Sequence, residues 1–289
     1  MAETVEMKDI RGLDVDKLAK GFADQDYQFK TECQVSPMTG DSIRWYSKTA
    51  GTLDATSPSV IKNVAPLSQP DTLEVSWTRN TSYVKKYFVE GFISNEDIKS
   101  ADIDVLATTV RDLTRAIVAS VDKDIYNVMT EDVSGTPTPV NTQTAAATAA
   151  WDAASGQDPI KDILNAQRLL FAQNYEAMNA VMYLNPSNYM SLVTWLVSTK
   201  GSSIPSFSSA VAGGQRVIEL MGMKIKVSNN VTDNWALVVI PQRACTFKQY
   251  TGTSSGIVDD LMIGKKIRVS EAGIAYLTDP KAIVQISAV

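Results

Sequence analysis

The stretch from Asn95 to Glu131 places the tightest constraint on what this chain can become. Ile103, Leu106, Val110, Leu113, Ile117, Val121, Ile125 and Val128 recur at spacings of three or four, drawing one apolar stripe down a helix of 3.6-residue period. Glu96, Asp97, Asp102 and Asp104 crowd its first turns, where carboxylates meet the positive end of the helix dipole. Neither Gly nor Pro interrupts the run before Gly135 and Pro137. The pattern predicts a single helix of about 35 residues, a rod of roughly 50 Å, where an ordinary globular helix has ~12 residues. A compact domain of this size rarely needs such a beam. A thin, flat subunit does.

At 289 residues the chain can bury a substantial core and is expected to hold two packed regions. Its apolar share of 44% argues against wholesale disorder. A net charge of -5 argues against a nucleic-acid grip, which needs concentrated Lys and Arg. Histidine is absent, which removes the usual general base at neutral pH and the commonest ligand for transition metals. With only Cys33 and Cys245 besides, no zinc site is expected, and no cofactor. Two isolated cysteines make no disulfide framework and read as buried thiols of a protein of intracellular origin. No apolar run approaches the ~20 residues that span a bilayer, and the polar start MAETVEMKD does not read as a signal peptide.

Residues 1–41 carry nine Asp or Glu against five Lys or Arg. Leu13, Val15, Leu18 and Phe22 allow one short helix between Gly12 and Gly21; the rest reads as an extended arm that gains order by lying on something else. Ser42 to Thr49 and Thr81 to Ser94 are rich in β-formers and predict two strands of a projecting hairpin. The polar stretch between them contains three prolines, is too long for a tight turn and is too poor in apolar residues to fold alone. After the long helix, 132–150 reads as a Thr-, Pro- and Ala-rich linker. A second unit opens at Trp151, with Asp158 as helix N-cap and Pro159 at the first helical position. Further strands are expected at 180–184, 225–227, 236–240, 245–250, 265–270, 274–277 and 282–287, with a helix at 187–196 and a Ser- and Gly-rich loop from Lys200 to Gly214. No internal repeat is present.

Gly252-Thr253-Ser254-Ser255-Gly256 formally matches the G-x-S-x-G pattern of a nucleophile elbow. An elbow needs a helix after the serine and a histidine elsewhere; IVDDLMIGKK follows instead, so a surface turn is expected. The carboxylates at 96, 97, 102 and 104 are explained by the helix dipole without a metal. Met178, Met182, Met190, Met221, Met223 and Met262 are scattered and read as core filling. Lys85 and Lys86 beside Tyr83 and Tyr87 read as a solvated strand face or an edge guard. Lys62 faces either a neighbouring subunit or solvent.

The order of parts (acidic arm, projecting hairpin, long helix, α/β unit, returning strands) resembles the major capsid proteins of tailed bacteriophages, whose Hong Kong 97-type fold is shared with encapsulins. The wording FISNEDIKSADIDV, VDKDIYNVM, AWDAASGQDPIKDILNAQRLL, VMYLNPSNYMSLV, LMGMKIKVSNNV and IAYLTDPKAIVQI carries the likeness over nearly the whole chain. The resemblance implies an α+β fold with an N-terminal arm (1–41), an extended loop (42–94), a peripheral domain with the spine helix (95–150 and 244–278) and an axial domain (151–243 and 279–289). It implies a non-enzymatic protein that assembles as hexamers and pentamers into an icosahedral shell. That shell would enclose double-stranded DNA without reading its sequence, in a virion built in the host cytoplasm. A portal protein, a separate scaffolding protein and a decoration protein are the further partners it implies. Trp45, Lys62, Trp77, Arg79, Lys85, Lys86, Arg111 and Arg115 are the residues expected to contact neighbouring subunits. Two other readings remain beside it: an encapsulin-type compartment, and a histidine-free serine hydrolase acting through Ser254 and a lysine.

Overall fold

The computed structural model describes residues 27–48, 66–67, 77–100, 105–132, 134–200, 219–260 and 262–289. The helix expected near Leu13 to Phe22, Asp102 to Asp104, Lys62 and most of the loop from Lys200 to Gly214 lie outside them. The chain divides into two compact units: residues to 43, 83–126 and 246–276 form one, and 44–82, 127–245 and 277–289 the other. Several elements, including the long helix and the strand beginning at Cys245, run continuously across these limits.

The first unit is built on a four-stranded sheet. Its strands are β1 (Gln34–Pro37), β4 (Lys85–Ser94), β10 (Cys245–Asp260) and β11 (Gly264–Leu277), in the order β1-β10-β11-β4. β1 runs parallel to β10 from Gln34↔Thr246 to Pro37↔Gln249. β11 and β4 are antiparallel from Gly264↔Ser94 to Gly273↔Lys85. The expected spine is helical as α1 (Asn95–Ser100) and α2 (Val105–Thr130), with residues 101–104 outside the described set. Ser94 caps α1: its hydroxyl accepts from Asp97 N (3.0 Å) and donates to the Asp97 carboxylate (2.7 Å), a reciprocal capping arrangement. On α2, Leu106, Val110, Ile117, Val121 and Ile125 are buried as their spacing requires, and Val118, Tyr126 and Met129 widen the stripe. Thr114 sits within it because its hydroxyl bonds to the Val110 carbonyl at 2.7 Å. The helix lies close over β4, where a Cβ on Gly91 would stand 2.9 Å from the Leu113 side chain.

The second unit has a six-stranded mixed sheet in the order β5-β12-β9-β6-β8-β7. Its strands are β5 (Gln143–Ala146), β6 (Val181–Leu184), β7 (Glu219–Leu220), β8 (Met223–Val227), β9 (Trp235–Val239) and β12 (Ile283–Ser287). Helices α3 (Pro159–Ala172) and α4 (Pro186–Lys200) complete it. Asp158 caps α3 through Lys161 N at 3.3 Å, with Pro159 in the first turn as expected. Ile163, Ala166 and Leu170 of α3 join Trp151, Met182, Leu184, Leu192, Trp195, Val238, Val284 and Ile286 in one core. Asp162 is buried there and fully used, accepting Thr148 N (2.9 Å), Thr148 Oγ1 (2.6 Å) and Trp151 Nε1 (3.0 Å).

α2 ends in this unit with a Schellman turn: Asp132 N donates to the Asn127 carbonyl at 2.9 Å, and Glu131 takes the left-handed position at φ 55°. From there the Glu131 carboxylate accepts Val140 N, Asn141 N, Asn141 Nδ2, Thr142 N and Thr142 Oγ1 at 2.6 to 3.1 Å. Gln285 of β12 donates to Thr142 Oγ1 (2.8 Å) and to the Thr130 carbonyl (3.2 Å), tying the same turn to the sheet.

Five expectations need correction. The 132–150 linker contains β5, which pairs parallel with β12. The arm contains β1. The run 81–94 is two strands: β3 (Trp77–Tyr83) pairs with β2 (Ser42–Lys48) in a two-stranded sheet, whereas β4 belongs to the four-stranded one. The segments expected at 265–270 and 274–277 are one strand, β11. Of the six methionines read as core, only Met182 and Met223 are buried; Met178, Met190, Met221 and Met262 are exposed.

Gly264 is the tightest point of the β4–β11 ladder, since a Cβ there would stand 2.2 Å from the Ile93 carbonyl oxygen, a backbone atom that cannot turn aside. Gly264→Ala is expected to destabilise by about 1–3 kcal/mol or more, while Gly256→Ala on open β10, with nothing within 4 Å, stays within about 0.5 kcal/mol; urea melts read both. At Glu131, burial raises the carboxyl pKa but the hydrogen bonds from Asn141, Thr142 and Val140 outweigh it, so the net shift is downward. A lowered pKa stabilises the fold above the unfolded-state value and is lost as pH falls through the folded one. Glu131→Gln should therefore cost about 1–2 kcal/mol at pH 7, with the gap to wild type closing below about pH 4.

Candidate functional site

Within the first unit, the stretch leading out of residues 1–26 is held by a buried polar network. Asp122, on the buried side of α2, accepts backbone N–H bonds from Gln28 (2.7 Å), Phe29 (3.4 Å) and Lys30 (3.2 Å). Burial pushes its carboxyl above the ordinary value, and these three bonds work against that rise. Lys30 Nζ meets Glu271 Oε1 of β11 at 2.6 Å, and Glu271 is wholly buried. The other Glu271 oxygen accepts Thr253 Oγ1 (3.1 Å) and the Tyr27 hydroxyl. Burial, then the Glu271 charge, pushes the Tyr27 phenol up, so it stays a donor. The Lys30 ammonium also lies over the rings of Tyr27 and Phe247, 4.3 and 4.9 Å from their centroids.

The outer face of the same sheet is open. Along β4, Lys86, Phe88, Glu90 and Phe92 alternate outward, while Val89, Gly91 and Ile93 lie on the less exposed side. Phe88 and Phe92 are each about half exposed (52% and 51%), unusual for phenylalanine on a sheet. Lys86 Nζ stands 5.3 Å from the Phe88 ring centroid, Glu90 pairs with Arg268 across the ladder, and Lys266 pairs with Asp260 at 2.8 Å. Met262 and Ile263 are exposed at the β10–β11 turn. On the two-stranded sheet, Tyr46, Trp77 and Tyr83 are 61%, 60% and 72% exposed.

The residues expected to face neighbours fall on several elements rather than on one patch. Trp45 is half-buried on β2; Trp77 and Arg79 are exposed on β3. Arg111 and Arg115 are exposed on α2, one turn apart. Lys85 is held by its own chain: it and the Tyr87 hydroxyl share the Asp124 carboxylate at 2.8 and 2.6 Å. Phe88, Phe92, Tyr46 and Tyr83 were not anticipated. The signal was present for the phenylalanines, because Lys86 and Glu90 mark the solvent side of a period-two strand and share its phase.

Ser254 lies in the middle of β10, not on a turn before a helix, and its hydroxyl faces Ser270 Oγ at 3.4 Å with no base beside it. That corrects both the elbow and the surface-turn reading of Gly252–Gly256. Among the described residues no three Cys, Asp or Glu side chains are placed to share a metal ion, and no helix is long and apolar enough to cross a membrane.

A family model described as "Phage capsid protein" matches residues 92–286, about two thirds of the chain. The chain belongs to the phage capsid protein family. Comparison with curated proteins finds no match. Among solved structures, this capsid protein is similar to the capsid of cyanophage P-SCSP1u (TM-score 0.67, 17% identity, covering 91% of this chain and 88% of that one). It is also similar to Mycobacterium phage Che8 (0.66, 17%, 90% and 91%) and to a virus-like particle from Pyrococcus furiosus (0.62, 12%, 95% and 98%). At such identities the likeness is one of fold: an α+β capsid fold of the Hong Kong 97 type. The capsid protein is therefore a homo-oligomeric shell subunit located in the virion, with a structural role there. The encapsulin reading is not favoured.

Lys30→Met should leave the buried Glu271 charge without its cation and cost about 3–5 kcal/mol, whereas Lys30→Met with Glu271→Leu should recover most of that loss. Chemical denaturation of the three proteins and the wild type gives the double-mutant cycle.

Proposed function

We propose that many copies of this capsid protein assemble as hexamers and pentamers into the icosahedral head shell of a tailed phage, around double-stranded DNA held without sequence-specific contacts. The observation that carries this reading is the β2–β3 sheet. Two strands alone are marginal in water, yet these expose Tyr46, Trp77 and Tyr83. A neighbouring subunit laid over them supplies the missing burial, and near-equivalent copies can do so all round a closed surface.

In this reading 1–41 is the arm, 42–94 the extended loop, 95–150 with 244–278 the peripheral domain, and 151–243 with 279–289 the axial domain. Trp45, Lys62, Trp77, Arg79, Lys86, Arg111 and Arg115 meet neighbouring subunits, and Lys85 does so while holding Asp124. The shell is built in the host cytoplasm with a scaffolding protein, closes on a portal at one vertex and takes a decoration protein outside. The acidic balance of residues 1–41 keeps DNA from adhering where that segment lines the interior.

Negative-stain microscopy and sizing of the protein, expressed alone and with a scaffolding protein, should show closed shells or free hexamers and pentamers. Trp77→Glu should reduce assembled particles at least tenfold, because a charge buried at a contact costs several kcal/mol, while circular dichroism stays unchanged. Wild-type protein that remains a monomer in every condition, or Trp77→Glu particles at the wild-type yield, would refute the assignment.

A further inference from the structure

The four-stranded sheet ends at β4, and among the described residues no strand pairs with its other side. Sheet edges are ordinarily blunted by proline, a bulge, shortness or a covering element. β4 is ten residues long and free of proline. Its register with β11 runs without a bulge from Gly273↔Lys85 to Gly264↔Ser94.

The helix does not cover that edge. Thr109, Leu113, Ser120 and Asp124 recur at spacings of four and seven, so they share one side of α2. This is the side that meets β4. A Cβ on Gly91 would stand 2.9 Å from Leu113 and 3.1 Å from Thr109, and Asp124 accepts from Lys85 and Tyr87. None of the four is buried, and Ser120 is exposed. Val110, Ile117 and Val121, which are buried, lie further round the helix. α2 therefore sits inward of β4 and leaves a row of backbone donors and acceptors open beside it.

The side chains say what fits there. Lys86, Phe88, Glu90 and Phe92 alternate outward, so a cation stands two residues before Phe88 and an anion two residues after it. An antiparallel strand of the same sequence, centred on Phe88, sets Lys86 of each copy opposite Glu90 of the other. Tyr87 then faces Val89, and the two Phe88 rings meet at the centre. Glu90 already pairs with Arg268 of its own β11, so each carboxylate comes to lie between two cations. Centring on Tyr87 or Val89 leaves both charges without an opposite partner across the edge. Centring on Glu90 sets two carboxylates against each other.

We propose that the open edge of β4 is an interface between copies of this chain, in which residues 85–91 of two copies pair antiparallel about a two-fold axis at Phe88. The contact is isologous, each copy using the same strand, and it joins two four-stranded sheets into one. It rests on copies meeting, as in a homo-oligomeric shell, and not on their arrangement as hexamers and pentamers.

The test places one cysteine at a time on the exposed side of β4: Phe88→Cys, Glu90→Cys and Phe92→Cys. Directly opposite residues stand about 5 Å apart, whereas the two copies of residue 90 are roughly 13 Å apart and those of residue 92 roughly 26 Å. A bis-maleimide with a spacer of about 8 Å should therefore join two chains of Phe88→Cys and neither of the others. Wild-type protein, whose two cysteines are buried, should stay unlinked. With Phe88→Cys present, Lys86→Glu should lower the linked fraction roughly fivefold or more, and so should Glu90→Lys. An equal mixture of those two chains should restore it, because each then meets its opposite charge. Circular dichroism of every variant should match wild type. A Phe88→Cys chain that does not link, linking at 90 or 92 instead, or a mixture no better than its components would each overturn the proposal. Particles that form without the 88–88 link sink this contact and leave the shell reading standing; linked pairs that never close into shells do the reverse.

Discussion

An apolar stripe on an otherwise charged helix has to be covered, and the first unit is arranged around that requirement. α2 presents Leu106, Val110, Ile117, Val121 and Ile125 on one side. β4 meets the helix with a glycine at the point of closest approach, where a larger residue would press on Leu113 and Thr109. Burial of so many aliphatic side chains stabilises by roughly 1.5–3 kcal/mol each before chain entropy is set against it. That surplus makes room for costly polar features on the same helix. Asp122 is buried, and it is tolerated because three backbone donors converge on it.

The two sheets face opposite demands. In the six-stranded one, β6, β9 and β12 are buried almost throughout and α3 packs with them into a single core. The four-stranded one has helix on one side and Phe88 and Phe92 on the other. A monomeric protein would pay for such a face in solubility. The mixture of exposed aromatic rings with Lys86, Glu90 and Arg268 is not the composition of a core.

What could be read from the residues depended on how local the cause was. The helix stripe, the Asp158-Pro159 start and the apolar run expected at 180–184 are dictated within a few residues. The start stands, and the run is β6 from Val181. Of the stripe, Leu106, Val110, Ile117, Val121 and Ile125 are buried, Leu113 and Val128 are half-buried, and Ile103 lies outside the described residues. β1 and β5 were missed because QVSP and QTAA carry almost no strand signal of their own; partners far along the chain, β10 and β12, decide them. The division of 77–94 into two strands likewise depends on which partner each half finds. Four of the methionines were misassigned because hydrophobicity says that a side chain can be buried, not that a subunit buries it by itself. The contact residues were chosen by type, and only the alternation along β4 would have pointed to Phe88 and Phe92.

The last strand does not lie at an edge. β12 sits between β5 and β9, pairing with both, and Gln285 reaches from it to the turn that follows α2. The second sheet therefore lacks an interior strand until Ile283–Ser287 joins it. Contacts of such long sequence separation form slowly, since the chain must close a large loop before they are rewarded. A subunit in which β12 has not docked thus holds β5 apart from β9, β6, β8 and β7.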